Sequence, residues 1–443
     1  MGIIAKVGDA LHHLFDNIAE SAGRASGVIK RKRKFDASSL AKTFVLGYLQ
    51  NPNASDEELA QMAAQCGAPV TPQAIDQRHT PEMSRFLEEL FRGASQQVIG
   101  SDKALAPILE RFTNVTLVDS STITLPDDME ERFEGCGGSY GAGAAAMKLQ
   151  VELDLRSGAI SHVEIESGKS PDSATSRQQA RRGPGSLRIS DLGYFNLGVF
   201  ATMMAADEHF LSRLQFGVKV MLQNGQGVEL LPWLAKQPGP FVDVQVLAGK
   251  EQRLPCRLIA WRLPEQQANR RRQKLRQETL RKRGQEPSAE RLAWCDWTIL
   301  VTSVPVEKLT PQEAAVLYRA RWQIELLFKR WKSQNLVAQL RGSTTTRQMI
   351  RVWSRLIGAL VQHWLVVASA WGDPSKSLSK VCEAIRPFVG RIAAALTNRS
   401  AELKRVLTDM SQAIAKTCRR NKRAKPGTFE LLNDICLLDF DLT

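Results

Sequence analysis

The stretch KLQVELDLRSGAISHVEIES, Lys148–Ser167, alternates apolar and polar residues from end to end. Leu149, Val151, Leu153 and Leu155 fall on one side, Ser157–Gly158 supplies the turn, and Ile160, Val163 and Ile165 return. A period of two closed by a small-residue turn specifies an antiparallel β-hairpin. It sits in the middle of a chain whose flanks have helical patterns, so the fold class is α/β.

The change of pattern divides the chain. Residues 1–105 read as a helical, DNA-binding domain. Within it, Ser55 with Glu58 three residues on forms a capping start, Gly67 breaks the helix, and a second short helix begins near Thr71. That is the outline of a helix-turn-helix at 55–80, which any αα-hairpin shares. The run KRKRK, Lys30–Lys34, lies just upstream. Strand patterns begin near residue 112 and continue to 205. Residues 206–296 form a β-rich block with an Asn224–Gly225 hairpin turn and a very basic helix, EQQANRRRQKLRQETLRKRG. Cations surround that helix, so it is either a solvated spacer or a phosphate-tracking element, and the overall charge favours the second. Strand and helix patterns resume over 297–372, and 373–443 is a helical tail containing KTCRRNKRAK.

Two strands run into aspartates. Val115–Val118 stands directly before Asp119, and SLRIS ends at Asp191. Strand-to-loop transitions are where α/β folds place functional groups, although Asp also simply caps and turns there, as expected for Asp127, Asp128 and Asp172.

The 443 residues carry a formal charge of +14, which points to a polyanionic partner. A membrane is the poorer choice. The apolar run Leu356–Trp371 is short of a span and holds Gln362 and His363, and the N-terminus lacks a signal-peptide or myristoylation pattern. Seven dispersed cysteines without C-x-x-C support neither disulfides nor zinc and fit a reducing, cytoplasmic setting. His12–His13 reads as surface.

The segment YRARWQIELLFKRWKSQ, Tyr318–Gln334, reads as one helix. Leu317, Ile324, Leu327, Phe328 and Trp331 form its apolar stripe. At 100° per residue, Tyr318, Arg321, Glu325 and Lys332 share an adjoining arc of roughly 60° along about 21 Å of axis. A salt-bridged solvent face is the plain explanation, but the acid lies C-terminal to the arginine, the weaker order for such a pair.

Two strand-end aspartates and one helical glutamate are hard oxygen ligands. They suit a pair of Mg²⁺ ions, with Mn²⁺ able to substitute, rather than zinc. Such ions activate a water or 3′-hydroxyl for attack on a phosphodiester. Arg321 and Lys332 would then hold phosphates, and Tyr318 would add a hydrogen bond. Competing motifs fail. Val163 stands where a Walker A glycine belongs before Gly168-Lys169-Ser170, and GAGAAA from Gly141 lacks the third glycine of a dinucleotide fingerprint. Neither nucleotide-binding pattern is complete.

With these residues in place, the chain resembles the IS4 family of DDE transposases. Y-x2-R-x3-E-x6-K, here Tyr318, Arg321, Glu325 and Lys332, is similar to that family's signature. VDSSTITLP at Asp119 and ISDLGYFN at Asp191 resemble its acidic blocks, and the similarity covers about 112–372. The resemblance implies an RNase H-like catalytic core interrupted by a β-rich insertion domain, between helical terminal domains. It implies Asp119, Asp191 and Glu325 as catalytic metal ligands. It also implies cleavage of double-stranded DNA at inverted-repeat ends, followed by joining to target DNA, with no nucleotide cofactor, by a homodimer in a synaptic complex. Trp297 matches by position a tryptophan that stacks on a base flipped from a hairpinned end, with Trp294 and Trp233 as weaker matches. An aromatic that merely fills the sheet is the alternative for Trp297.

Two other functions remain open at this stage. A metal-dependent nuclease could use the same carboxylates without strand transfer. A helix-turn-helix DNA-binding protein would leave them without a purpose.

Overall fold

The computed structural model describes residues 2–29, 34–137, 143–397, 400–421 and 425–437. The KRKRK run (but for Lys34), Gly141 at the head of GAGAAA, and part of KTCRRNKRAK lie outside the described residues. The protein is mixed α/β, with many helices and ten described strands in a mixed sheet. The strands are β1 Val115–Thr124, β2 Ala146–Asp154, β3 Ile160–Ser167, β4 Leu187–Ser190 and β5 His209–Arg213. They continue as β6 Val220–Leu222, β7 Gly227–Val228, β8 Phe241–Ala248, β9 Leu254–Arg262 and β10 Trp297–Thr302.

The chain divides into two compact units. The first comprises Met1–Leu105, Asp119–Ser170 and Gln323–Lys422. It contains the expected hairpin: β2 and β3 pair antiparallel, with Leu149 opposite Ile165 and Val151 opposite Val163. Gly158 makes the turn at φ +77°, a left-handed conformation that glycine adopts without penalty. A Cβ there would also lie 2.4 Å from the Trp371 ring. The helix Thr345–Ala370 takes up the apolar run read in the sequence. Trp353 and Trp364 on it, and Trp371 just after it, are fully buried. No helix among the described residues is long and apolar enough to cross a membrane. Arg355 is buried on the same helix, and its guanidinium donates to the carbonyls of Pro52, Leu336 and Gln339. Those acceptors offset the desolvation cost of the charge.

In the helix-turn-helix outline, Ser55 and Glu58 form the expected capping box of the helix Asp56–Gln65. The helix that follows, Pro72–Asp76, spans only five residues.

The second unit comprises Ala106–Val118, Pro171–Trp322 and Arg423–Thr443. Its strands run β1-β4-β5-β10-β9-β8-β6-β7. β1, β4 and β5 are parallel, and the rest are antiparallel. β10 pairs with β5 on one side and β9 on the other, so the strands of the 206–296 block extend the sheet that holds β4. Gly225, at φ +81°, closes the β6–β7 hairpin where Asn-Gly signalled it. One core face is built from Phe200, Phe210, Leu258, Ile299 and Val301, and the Phe200 and Phe210 rings stack at 4.1 Å.

Two sequence expectations change. Asp119 does not end its strand, because β1 continues to Thr124. Burial marks the position instead: Val115–Val118 are buried, and Asp119 begins a half-buried stretch. The apolar run ended where side-chain burial ends, whereas backbone pairing, which periodicity does not report, carries on. The single helix read over Tyr318–Gln334 is two helices, Pro311–Ala320 and Trp322–Ser333, with Arg321 at the break. Thr310, Pro311 and Glu313 supply an N-terminal capping box upstream of the quoted motif.

Candidate active site

In the second unit, β4 lies between parallel β1 and β5, and its four residues are all buried. Asp191 follows at once, half-buried. Its backbone carbonyl accepts from Tyr194 N, closing a short 3₁₀ turn. Its carboxylate has no hydrogen-bond or ion-pair partner among the described residues. A half-buried carboxylate without a protein partner is open to a bound cation.

Tyr318 approaches from the C-terminal end of the helix Pro311–Ala320. Burial raises its phenol above the ordinary value of 10, Arg213 and Arg321 pull it back, and Asp191 pushes it further up. Asp191, Arg213, Tyr318 and Arg321 are thus electrostatic neighbours within this unit. The Arg213 guanidinium stands 5.8 Å from the centroid of the Tyr318 ring.

Trp297 opens β10, half-buried, with its ring against the core of the second unit. Trp294 and Trp233 pack on the same core. Arg271, from the helix Glu265–Arg283, donates to the Trp297 carbonyl at 3.1 Å and to Thr298 Oγ1 at 3.2 Å. That basic helix is held by Arg272, which pairs with both Glu265 and Asp296. Its other cations include Arg270, Arg281, Lys282 and Arg283, all exposed.

The first unit holds Asp119, Glu325 and Lys332. Asp119 Oδ1 accepts from the backbone N–H of Ser120 at 2.9 Å. Glu325 lies in the first turn of the helix Trp322–Ser333, where a carboxylate is favoured by the helix dipole. Ile324, Leu327, Phe328 and Trp331 of that helix are buried, as the apolar stripe required. Lys332 is half-buried, and burial lowers its ammonium below the ordinary value of 10.5. It has no acidic partner among the described residues.

Two features escaped the sequence reading. Trp322, directly after Arg321, is 52% exposed, unusual for so large an apolar ring. The helical arithmetic carried the signal, since Trp322 falls near ~40°, outside the apolar arc. Asp56, Asp76 and His79 also cluster closely enough to hold an ion. There, however, the Arg347 guanidinium pairs with both aspartates and supplies the positive charge.

Residues 110–361, more than half of the chain, match the family described as "Transposase DDE domain". The chain is 25% identical to the transposase for insertion sequence element IS231B of Bacillus thuringiensis subsp. berliner, over 94% of its own length and 92% of the relative's. It is 27% identical to the transposase for insertion sequence element IS231D of Bacillus thuringiensis subsp. finitimus, over 78% and 76%. It is 24% identical to the transposase for insertion sequence element IS1151 of Clostridium perfringens, over 67% and 66%. The chain belongs to the DDE transposase family and is a transposase enzyme.

Proposed function

We propose that this transposase belongs to the IS4 group carrying the Y-R-E-K signature, and that Asp119, Asp191 and Glu325 are its catalytic carboxylates on an RNase H-like core. The observation that carries this reading is the Asp191 carboxylate, half-buried beside Tyr318 and left without a polar protein partner among the described residues.

Dependence on a divalent metal comes with the family. Three carboxylates, with no imidazole or thiol in the set, fit Mg²⁺ or Mn²⁺. Two Mg²⁺ ions, when bound, would activate the attacking oxygen and stabilise the leaving one. The chain's own residues then bind and orient. Lys332 offers an ammonium with no acidic partner among the described residues, and Arg321 a guanidinium that can grip a phosphate with two N–H groups. Tyr318 stays a neutral phenol and donates one hydrogen bond. The exposed cations of the helix Glu265–Arg283 track the DNA backbone at a distance from the chemistry.

The reaction is cleavage of both ends of the insertion sequence and their joining to target DNA, carried out by a homodimer holding paired ends. The helical residues 1–105 recognise the end, and 373–443 provide the dimer element. Where the ends pass through hairpins, Trp297 stacks on the flipped base. Incubation with Mg²⁺ and duplexes bearing the element's terminal repeats tests the reading. Strand transfer supports it, cleavage without joining reduces it to a nuclease, and binding alone removes the catalytic assignment.

A further inference from the structure

Tyr318 is the meeting point of more positive charge than the proposed catalytic set uses. Arg213 and Arg321 both act on its phenol, and the phenol in turn acts on Arg271. Asp191 is the one carboxylate among these neighbours of Tyr318. Arg213 and Arg271 therefore add two guanidiniums around the Tyr318 phenol, beside the arginine of the proposed set.

Neither Arg213 nor Arg271 has a carboxylate partner among the described residues. Arg213, the last residue of β5, is half-buried, and its guanidinium makes no hydrogen bond or ion pair among the described residues. Its described contact is with the face of the Tyr318 ring. Arg271 spends two donors on Trp297 O and Thr298 Oγ1, both neutral acceptors. Burial, with Arg213 adding like-charge repulsion, brings its pKa down to about 10. β5 and β10 are direct neighbours, with Arg213 opposite Leu300, so the register that positions Arg213 also positions the strand that anchors Arg271. Unmet guanidinium donors beside a second unneutralised guanidinium are destabilising until an anion arrives. A phosphodiester group, with one negative charge and two non-bridging oxygens, meets forked N–H donors from more than one side.

We infer that Arg213 and Arg271, together with Arg321, form a seat for one backbone phosphate of the DNA beside Asp191, so that the basic helix contributes a positioning residue to the site. The inference rests on the transposition reading above and adds two residues to it. Arg271 does two jobs: it fixes its helix to the first residues of β10, and it presents the rest of its fork to the phosphate. The Arg213 side chain has no hydrogen bond to lose among the described residues, only its contact with the Tyr318 ring, so the salt slope of Arg213→Gln reads the phosphate contact and its folding midpoint reads the ring contact.

The test is the salt dependence of binding of the full chain to a duplex bearing the terminal repeat of the insertion sequence that encodes it. Arg213→Gln and Arg271→Gln are each expected to weaken binding about tenfold and to lower the slope of log Kd against log salt by about 1, with folding midpoints retained. A purely structural role would shift the midpoint and leave the slope alone. Unchanged slopes in both variants, while the wild-type chain binds and cleaves the duplex, overturn the phosphate seat and leave the transposition reading intact. A wild-type chain that neither binds nor cleaves sinks both. Should Arg271→Gln lose its fold, Arg213→Gln alone decides.

Discussion

The Arg213 guanidinium stands over the Tyr318 ring, 5.8 Å from its centroid, while the phenol itself is buried. Burial is the largest influence on that phenol and keeps it protonated beyond pH 10, despite two nearby arginines. Tyr318 is therefore a hydrogen-bond donor through the whole range in which duplex DNA is stable. Tyr318→Phe keeps the ring under Arg213 and removes the donor. Binding of an end duplex should weaken about three- to tenfold, the worth of one hydrogen bond, with no loss of folding. The wild-type cleavage rate should show no alkaline decline below pH 10 that the variant abolishes.

Lys332 provides a charge test from the first unit. Its ammonium is depressed by burial, and a phosphate placed beside it would favour the charged form and raise its pKa again. Binding DNA should then be linked to proton uptake, so affinity should fall as pH rises towards 10.5. Lys332→Ala should remove that pH dependence and lower the salt slope by about 1. Equal pH profiles for the two proteins would return Lys332 to an ordinary helix face.

Acid sensitivity should come from His363. It is buried, its Nε2–H donates to Gly158 O at 2.7 Å, and its pKa is pulled down to about 4, chiefly by burial, against an ordinary 6.5. The Gly158 hydrogen bond works the other way, and the nearby Arg330 charge adds to the depression. Between those values the unfolded chain takes up a proton that the folded chain refuses. The stabilising contribution is full above pH 6.5 and is lost as pH falls to about 4, a change of roughly 3 kcal/mol at most. Thermal midpoints measured across that window should drop for the wild type and stay flatter for His363→Gln.

Gly158→Ala tests the packing around the same carbonyl. The residue sits at φ +77°, and a new methyl would fall 2.4 Å from the Trp371 ring. Strain and overpacking together should cost about 2–4 kcal/mol, read as a lowered denaturation midpoint. A neutral substitution would show that the hairpin turn and Trp371 can separate freely.

Local patterns made part of this legible in advance. Strict alternation specified β2 and β3, and Asn-Gly specified the β6–β7 turn, because each is set by neighbours in sequence. The apolar phase of the Trp322–Ser333 helix was equally readable. The length of β1 beyond Asp119 depends on backbone pairing with a distant strand and leaves no trace in side-chain polarity. The break at Arg321 sits inside an unbroken apolar stripe, so periodicity did not register it. Arg213 and Arg271 carry no motif. Their significance arises only when β5, β10 and the basic helix bring them to Tyr318.

The most direct measurement is strand cleavage of an end duplex by the wild type and by Asp191→Asn, with Mg²⁺ and with the metal chelated. The wild type should cleave only with metal. Asp191→Asn should bind the duplex with near-wild-type affinity and lose cleavage by at least on the order of 10²-fold, as should Asp119→Asn and Glu325→Gln. Cleavage by Asp191→Asn at the wild-type rate would contradict the assignment of this carboxylate to the catalytic metal site.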